Sequence, residues 1–375
     1  MSRLSVHLWS PGLVGFSGGI GRFSRELALA LRASGNNVEL LGKGDRKGAW
    51  EGMVVRGSER WPAAFRTPMF AVLLLFRCLV ACPDVIVSTH PNFGPVARLA
   101  RRLFGVRYVL VAHGIDVGPA LSNMRILALR EADGVWVVSR WTRGRVEALG
   151  VAAHKISIIP NTLSDAEFSA SAGASPLASR YAIGEGEKVI LTVARLDGRE
   201  GYKGYDLVIE SLPEVIRAIG AVRYLIVGGG SDANRIQVLA QSLGVGDRVT
   251  LCGFVPDEAL ADHYRLADVF AMPSRGEGFG IVFLEAMASG VPVMGGNQDG
   301  TVDALDDGKL GLLVDPISRD AIAVGLISLL GRKGPELWFD PSRLRDACLA
   351  RFGRTSFRES VDRAVERLQH QRENT

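Results

Sequence analysis

The sequence predicts an α/β protein built from two doubly wound domains, and three observations carry that expectation. Short β-branched runs alternate with longer stretches of helical periodicity along the chain, the pattern of parallel strands covered by helices on both faces. The chain has 375 residues, about twice the size of an ordinary domain. A Ser- and Ala-rich stretch with weak periodicity, beginning after Pro160-Asn161, divides the series in two. With 47% hydrophobic and 22% charged residues there is apolar material for two cores, and disorder, collagen and coiled coil are excluded.

In the first series, strands fall at residues 6–9, 38–41, 84–88, 108–112, 134–138 and 155–159, with helices at 20–34 and 92–104. The first domain therefore spans 1–165, the linker 166–187 and the second domain 188–354. Strands of the second series fall at 189–193, 223–227, 248–251, 268–272 and 291–294. The charged amphipathic tail, 355–372, reads as a closing helix that packs back onto the first domain. Sheets of this kind bind ligands beyond the carboxyl ends of their strands, so two in tandem place the expected site in the cleft between them.

The greasiest stretch, 69–82, is 14 residues long and contains Arg77, whereas a bilayer-spanning helix needs about 20 residues. It reads as a buried helix rather than one dipping into a membrane. The N-terminus passes straight into a strand-like run with no signal-peptide order, and Cys78, Cys82, Cys252 and Cys348 form no C-x-x-C pair. Reduced thiols in a cytoplasmic setting, without a zinc site, follow. Residues 1–160 carry 21 Lys and Arg against 10 Asp and Glu, a balance of +11, and the remainder carries 23 against 30, a balance of −7. The basic half suits a phosphate-bearing substrate, an anionic membrane surface or simply a solvated Arg-rich face. No motif supports nucleic-acid binding.

Two regions carry chemistry. The Gly-rich turn 12–21 follows the first strand and opens a helix, so Gly18 and Gly19 leave backbone N–H groups and the helix dipole open to an anion, or form a plain structural turn. It lacks the G-x-G-x-x-G order of a dinucleotide site. In the second domain Arg195 sits just after the first strand and Lys203 follows eight residues later in VARLDGREGYKG. Arg as a fork and Lys as a point charge suit a diphosphate, two solvated basic residues being the plain alternative. The strand 268–272 then runs into PSRGEGFGIVFLEAMASG, with seven residues between Glu277 and Glu285. A helix opening near Gly278 carries Glu277 at its tip and Glu285 two turns deeper, while Gly278 and Gly280 let a ligand approach open N–H groups. The two carboxylates suit hydroxyls of a sugar and a ribose, or are a first-turn charge and an exposed helix residue.

On these residues the chain resembles the retaining glycosyltransferases of family 4, enzymes of the GT-B fold with two Rossmann-like domains facing across a cleft. The resemblance rests on Gly18-Gly19, on His113-Gly114 after a strand, on Ile159-Pro160-Asn161, on Arg195 with Lys203, and on PSRGEGFGIVFLEAMASGVPV. It implies that Arg195 and Lys203 bind the donor diphosphate, that Glu277 contacts the transferred sugar, and that Glu285 binds the nucleotide ribose. Gly18, Gly19, Gly278, Phe279 and Gly280 would approach the phosphates through their amides, and Phe254 and Val255 would lie in the base-binding loop. His113 would lie beside the sugar and complete a catalytic set with Arg195, Lys203 and Glu277; His7, His90 and His154 stay structural.

The implied activity is transfer of a hexose from a nucleotide diphosphate sugar, GDP-mannose or a UDP-hexose, to a saccharide acceptor with retention of configuration. No metal or other cofactor is implied, because cations and amides stabilise the leaving diphosphate. The implied acceptor is a lipid-diphosphate-linked oligosaccharide of exopolysaccharide, capsule or lipopolysaccharide, met by a cytoplasmic enzyme peripheral on the inner face of the plasma membrane. A nucleotide-sugar epimerase of similar architecture, a transferase for a small soluble acceptor and a binding-only member are the alternatives. Two segments depart from the family pattern: Pro160-Asn161-Thr162 in place of Pro-Asn-Gly, and the loop Gly295 to Leu305 in place of Gly-Gly then Pro-Glu. The second leaves Thr301 and Val302 without an assigned phosphate contact.

Overall fold

The computed structural model describes residues 3–14, 18–164, 168 and 177–373. The chain divides into two units, Met1–Thr162 with Arg354–Thr375, and Leu163–Gly353. Residue 165 of the expected first domain and 166, 167 and 169–176 of the expected linker lie outside the described residues, and Leu177–Arg180 forms a short helix of the second unit.

The first unit contains β1 (Ser5–Ser10), β2 (Asn37–Gly42), β3 (Gly48–Trp50), β4 (Met53–Gly57), β5 (Val85–Ser88), β6 (Arg107–Ala112), β7 (Gly134–Val137) and β8 (Ile156–Ile158). They lie in the order β3-β4-β2-β1-β5-β6-β7-β8. The inner strands read as unbroken apolar runs because helices cover both faces; β5 and β7 are buried at every position. The hairpin β3–β4, antiparallel and absent from the sequence expectation, turns through Glu51 and Gly52, both at positive φ. Strand order reverses between β1 and β5, so the loops leaving these strands flank the sheet's ligand crevice.

The second unit contains β9 (Lys188–Val193), β10 (Val222–Val227), β11 (Val249–Gly253), β12 (Val269–Met272), β13 (Val293–Gly296) and β14 (Leu312–Val314). All six are parallel, in the order β11-β10-β9-β12-β13-β14, and the reversal falls between β9 and β12. The core packs Tyr205, Val208, Ile209 and Leu212 of the helix Tyr205–Ile219 with Ile322 and Leu326 of the helix Arg319–Leu330.

The helix Arg354–Glu373 belongs to the first unit. Its buried Phe357, Val361, Ala364, Val365 and Leu368 follow helical spacing. Arg354 grips Glu26 of the helix Gly19–Ala33 with two hydrogen bonds of 2.7 and 2.6 Å. Phe357 meets Phe23 edge-on at 5.6 Å.

The run expected as a buried helix needs correction. The helix is longer, Ala63–Ala81, and buries only Phe70, Leu74 and Cys78. Those three, spaced by four, join Trp9, Ile86 and Tyr108 in the core of the first unit. Arg77 on the same side donates to Glu39 at 2.9 Å. Burial works to raise the Glu39 carboxyl, but hydrogen bonds from His7, Arg77 and Arg56 outweigh it and hold it at about 2. The other side of the helix stays in solvent, with Phe65, Val72, Phe76, Leu79 and Val80 each more than half exposed.

Candidate active site

Because strand order reverses between β9 and β12, the loops leaving these strands become neighbours although some 80 residues of sequence separate them. Gly204 lets them touch: its φ is 77°, and a Cβ there would lie 2.3 Å from the Pro273 carbonyl oxygen. The Arg275 N–H donates to the Tyr202 carbonyl at 2.9 Å. This stitch brings Lys203 Nζ to 3.1 Å from Glu277 Oε2. Lys203 Nζ also lies 3.7 Å from Glu200 Oε2, and the other oxygen of Glu200 pairs with the Arg195 guanidinium.

The result is a line of alternating charge, Arg195, Glu200, Lys203 and Glu277. Its inner members are largely shielded from water, while the Arg195 side chain is 76% exposed. Glu200 is a residue that sequence reasoning missed; its only signal is an acid standing between two cations in Arg-x4-Glu-x2-Lys.

Asp299, also missed, explains the loop that departs from the family pattern. Its buried carboxylate accepts from the Ser274 hydroxyl at 2.8 Å, the Glu277 N–H at 2.7 Å and the Thr301 N–H at 2.9 Å. Burial pushes the Asp299 carboxyl up, and these donors oppose the rise by favouring the charged form. The Gly300 N–H donates to the Glu277 carbonyl at 2.9 Å. Asp299 therefore clamps the backbone that carries Glu277.

The segment after β12 differs from expectation at the helix start. The helix runs Ile281–Ala288, so Glu277 stands on the loop ahead of it rather than at its tip. Gly280 is the cause, since its φ of 88° is left-handed and cannot belong to a right-handed helix. Phe279 turns its ring inward against Phe352 at 5.6 Å, which leaves only its backbone for a ligand, and Gly278 is buried. Glu285 is 4% exposed and accepts from the Tyr264 hydroxyl at 2.7 Å, so it is not an exposed helix residue. Phe254 and Val255 follow β11, two places across the sheet from β9; Phe254 is 75% exposed.

In the first unit, His113 follows β6 and its Nε2 lies 3.0 Å from the Thr89 carbonyl, just past β5. A carbonyl only accepts, so the ring proton sits on Nε2. The His113 N–H donates to Asp116 at 2.8 Å, and Phe23 meets the ring edge-on at 5.0 Å. Burial pushes the imidazole down to about 4, so it is neutral at pH 7. Gly18 has a φ of 101° and Gly19 opens the helix Gly19–Ala33. Gly15, Phe16 and Ser17 of the same turn lie outside the described residues. Buried Asp45 accepts from the N–H groups of Leu13 and Val14 at 2.8 Å each, and so ties down the start of that turn. Among the described residues, no group of three or more His, Cys, Asp and Glu side chains could hold a metal ion.

Two doubly wound units, one with a line of alternating charge at its switch point, are an architecture that many α/β proteins share, and comparison with known proteins gives the family. Residues 18–162 match the family described as glycosyl transferase 4-like domain, and residues 177–337 match glycosyl transferases group 1. A GDP-mannose-dependent alpha-(1-6)-phosphatidylinositol monomannoside mannosyltransferase of Mycobacterium tuberculosis is 36% identical over 286 residues, covering 72% of this chain and 73% of the relative. The chain belongs to the family 4 glycosyltransferases. Its fold is similar to that of sucrose-phosphate synthase from Thermosynechococcus elongatus, with a TM-score of 0.81 and 23% identity over 98% of this chain and 100% of that one. A structure of Anabaena HepE in complex with UDP and glucose gives a TM-score of 0.76 at 19% identity, covering 96% and 99%.

Proposed function

We propose that the protein is a retaining, metal-independent hexosyltransferase that moves mannose from GDP-mannose to a lipid-anchored saccharide in surface-glycan assembly. The observation that carries the reading is the Lys203–Glu277 pair at 3.1 Å, with Arg195 one carboxylate away. In this reading the β-phosphate lies against Arg195 and Lys203, which stabilise the charge that grows as it leaves. Glu277 holds hydroxyls of the sugar, fixed by the Asp299 clamp behind it. In the first unit, burial keeps the His113 ring neutral.

The acceptor hydroxyl attacks the anomeric carbon while the bond from that carbon to the β-phosphate oxygen breaks. The hydroxyl proton passes to the departing diphosphate on the same face, giving a glycoside and a nucleoside diphosphate. GDP-mannose is favoured over a UDP-hexose because the mycobacterial relative is named as GDP-mannose-dependent, and a lipid-anchored acceptor because that relative acts on a phosphatidylinositol monomannoside.

The test supplies GDP-mannose or UDP-glucose with a bacterial lipid extract in excess chelator, followed by NMR of the product's anomeric centre. An α-mannoside formed under chelation is the expected product. A β-product, or activity restored only by a divalent cation, would overturn the mechanism.

A further inference from the structure

The helix Ala63–Ala81 is long and apolar enough to cross a membrane, with a mean hydropathy of 1.7, yet only 17% of that stretch is buried. It has two apolar faces. Phe70, Leu74 and Cys78 are locked into the core, and Arg77 is tied to Glu39, so the helix lies along the surface of its sheet and does not cross a bilayer. The opposite stripe, Phe65, Val72, Phe76, Leu79 and Val80, recurs at helical spacing and points outward. Trp61, 47% exposed, stands one turn before Phe65. The neighbouring helix Gly94–Phe104 adds exposed Leu99 and Leu103.

Charge identifies what covers this face. The helix holds no acidic residue, and exposed Arg60 and Arg102 stand on the flanking segments. Of the flanking acids, Glu59 pairs with Arg46, Glu131 pairs with Arg98 and lies 3.9 Å from Arg102, and exposed Asp84 accepts from the Ser5 N–H. A second copy seated by a two-fold axis would press two basic faces together, which costs free energy. An anionic bilayer neutralises the arginines and takes up the apolar stripe, with an interfacial Trp at its edge.

We infer that the outward face of the helix Ala63–Ala81 lies in the interface of an anionic lipid membrane and docks the first unit there. This surface is independent of the donor chemistry, so nucleotide release tests one and vesicle binding the other.

The experiment is flotation of the full chain with phosphatidylcholine–phosphatidylglycerol vesicles and with phosphatidylcholine alone. It compares wild type with the Val72→Ser, Phe76→Ser double variant. Binding to the anionic vesicles is expected to fall by about tenfold or more, from the apolar area removed, while Tm and GDP affinity stay unchanged. Wild-type binding should also exceed that to phosphatidylcholine alone. A second readout avoids large truncations: brominated lipid should quench wild-type tryptophan fluorescence more than that of Trp61→Phe. Equal flotation of wild type and double variant, or no flotation of wild type, would overturn the inference. Self-association in sedimentation that the double variant abolishes, without vesicle binding, would overturn it in favour of a second copy.

Discussion

The two switch points of the molecule are built alike and charged differently. In the second unit, the loops after β9 and β12 bring together Arg195, Glu200, Lys203 and Glu277. In the first, the loops after β1, β5 and β6 offer a glycine turn, a threonine carbonyl and an imidazole held neutral by burial. The same topology thus yields one set of loops carrying paired charges and another carrying neutral groups. Each relies on a buried aspartate, Asp299 or Asp45, that accepts backbone N–H groups and holds its loop in place.

Breaking the charged side should have the largest effect. Lys203→Ala and Glu277→Ala are each expected to lower kcat by a factor of about 10² to 10³, with far-UV circular dichroism unchanged; near-normal turnover in both would remove the site from the second unit. The aspartate clamps come next. Asp299→Ala leaves three donors without their acceptor and should cost about 1–3 kcal/mol of stability together with a roughly tenfold loss of kcat. Asp45→Ala should lower Tm comparably but leave GDP affinity intact, and a matching loss of GDP binding would erase the contrast between the two units.

Glu200→Gln sharpens the contrast further. The carboxylate of Glu200 occupies the two cations that a diphosphate would need, so removing its charge should tighten GDP binding severalfold, about 1 kcal/mol, as read by calorimetry. Weaker binding would make Glu200 a positioning residue instead.

The smallest effect concerns His113. Its folded value of about 4 lies below the ordinary 6.5, so between these values the unfolded chain binds the extra proton. Stability from this residue is complete above about pH 6.5 and is lost as pH falls towards 4. His113→Gln should flatten part of the Tm decline across that window, whereas an unchanged profile would mean that the imidazole is not held neutral.

Much of this organisation was legible in the sequence for a physical reason. Strands covered on both faces must be apolar throughout, so β5, β6, β7 and β9 stand out as runs, and the Arg195 to Lys203 and Glu277 segments sit where ligand loops must be. Asp299 and Asp45 were not legible, because each acts only through a close approach of distant backbone that no spacing reveals, and Glu200, although it stands between its two cations in sequence, reads there as one more solvated loop charge. β14 and the β3–β4 hairpin were too short to rise above their surroundings. The helix Ala63–Ala81 shows the limit most clearly: hydropathy reports that both faces are apolar, but not that the core covers only one of them.

The most direct test of the donor site is calorimetric titration of GDP and of guanosine into wild type, Arg195→Ala and Lys203→Ala. If the diphosphate lies on these two cations, each variant should lose more than about tenfold in GDP affinity and nothing in guanosine affinity. Equal GDP affinity in all three proteins would contradict the account.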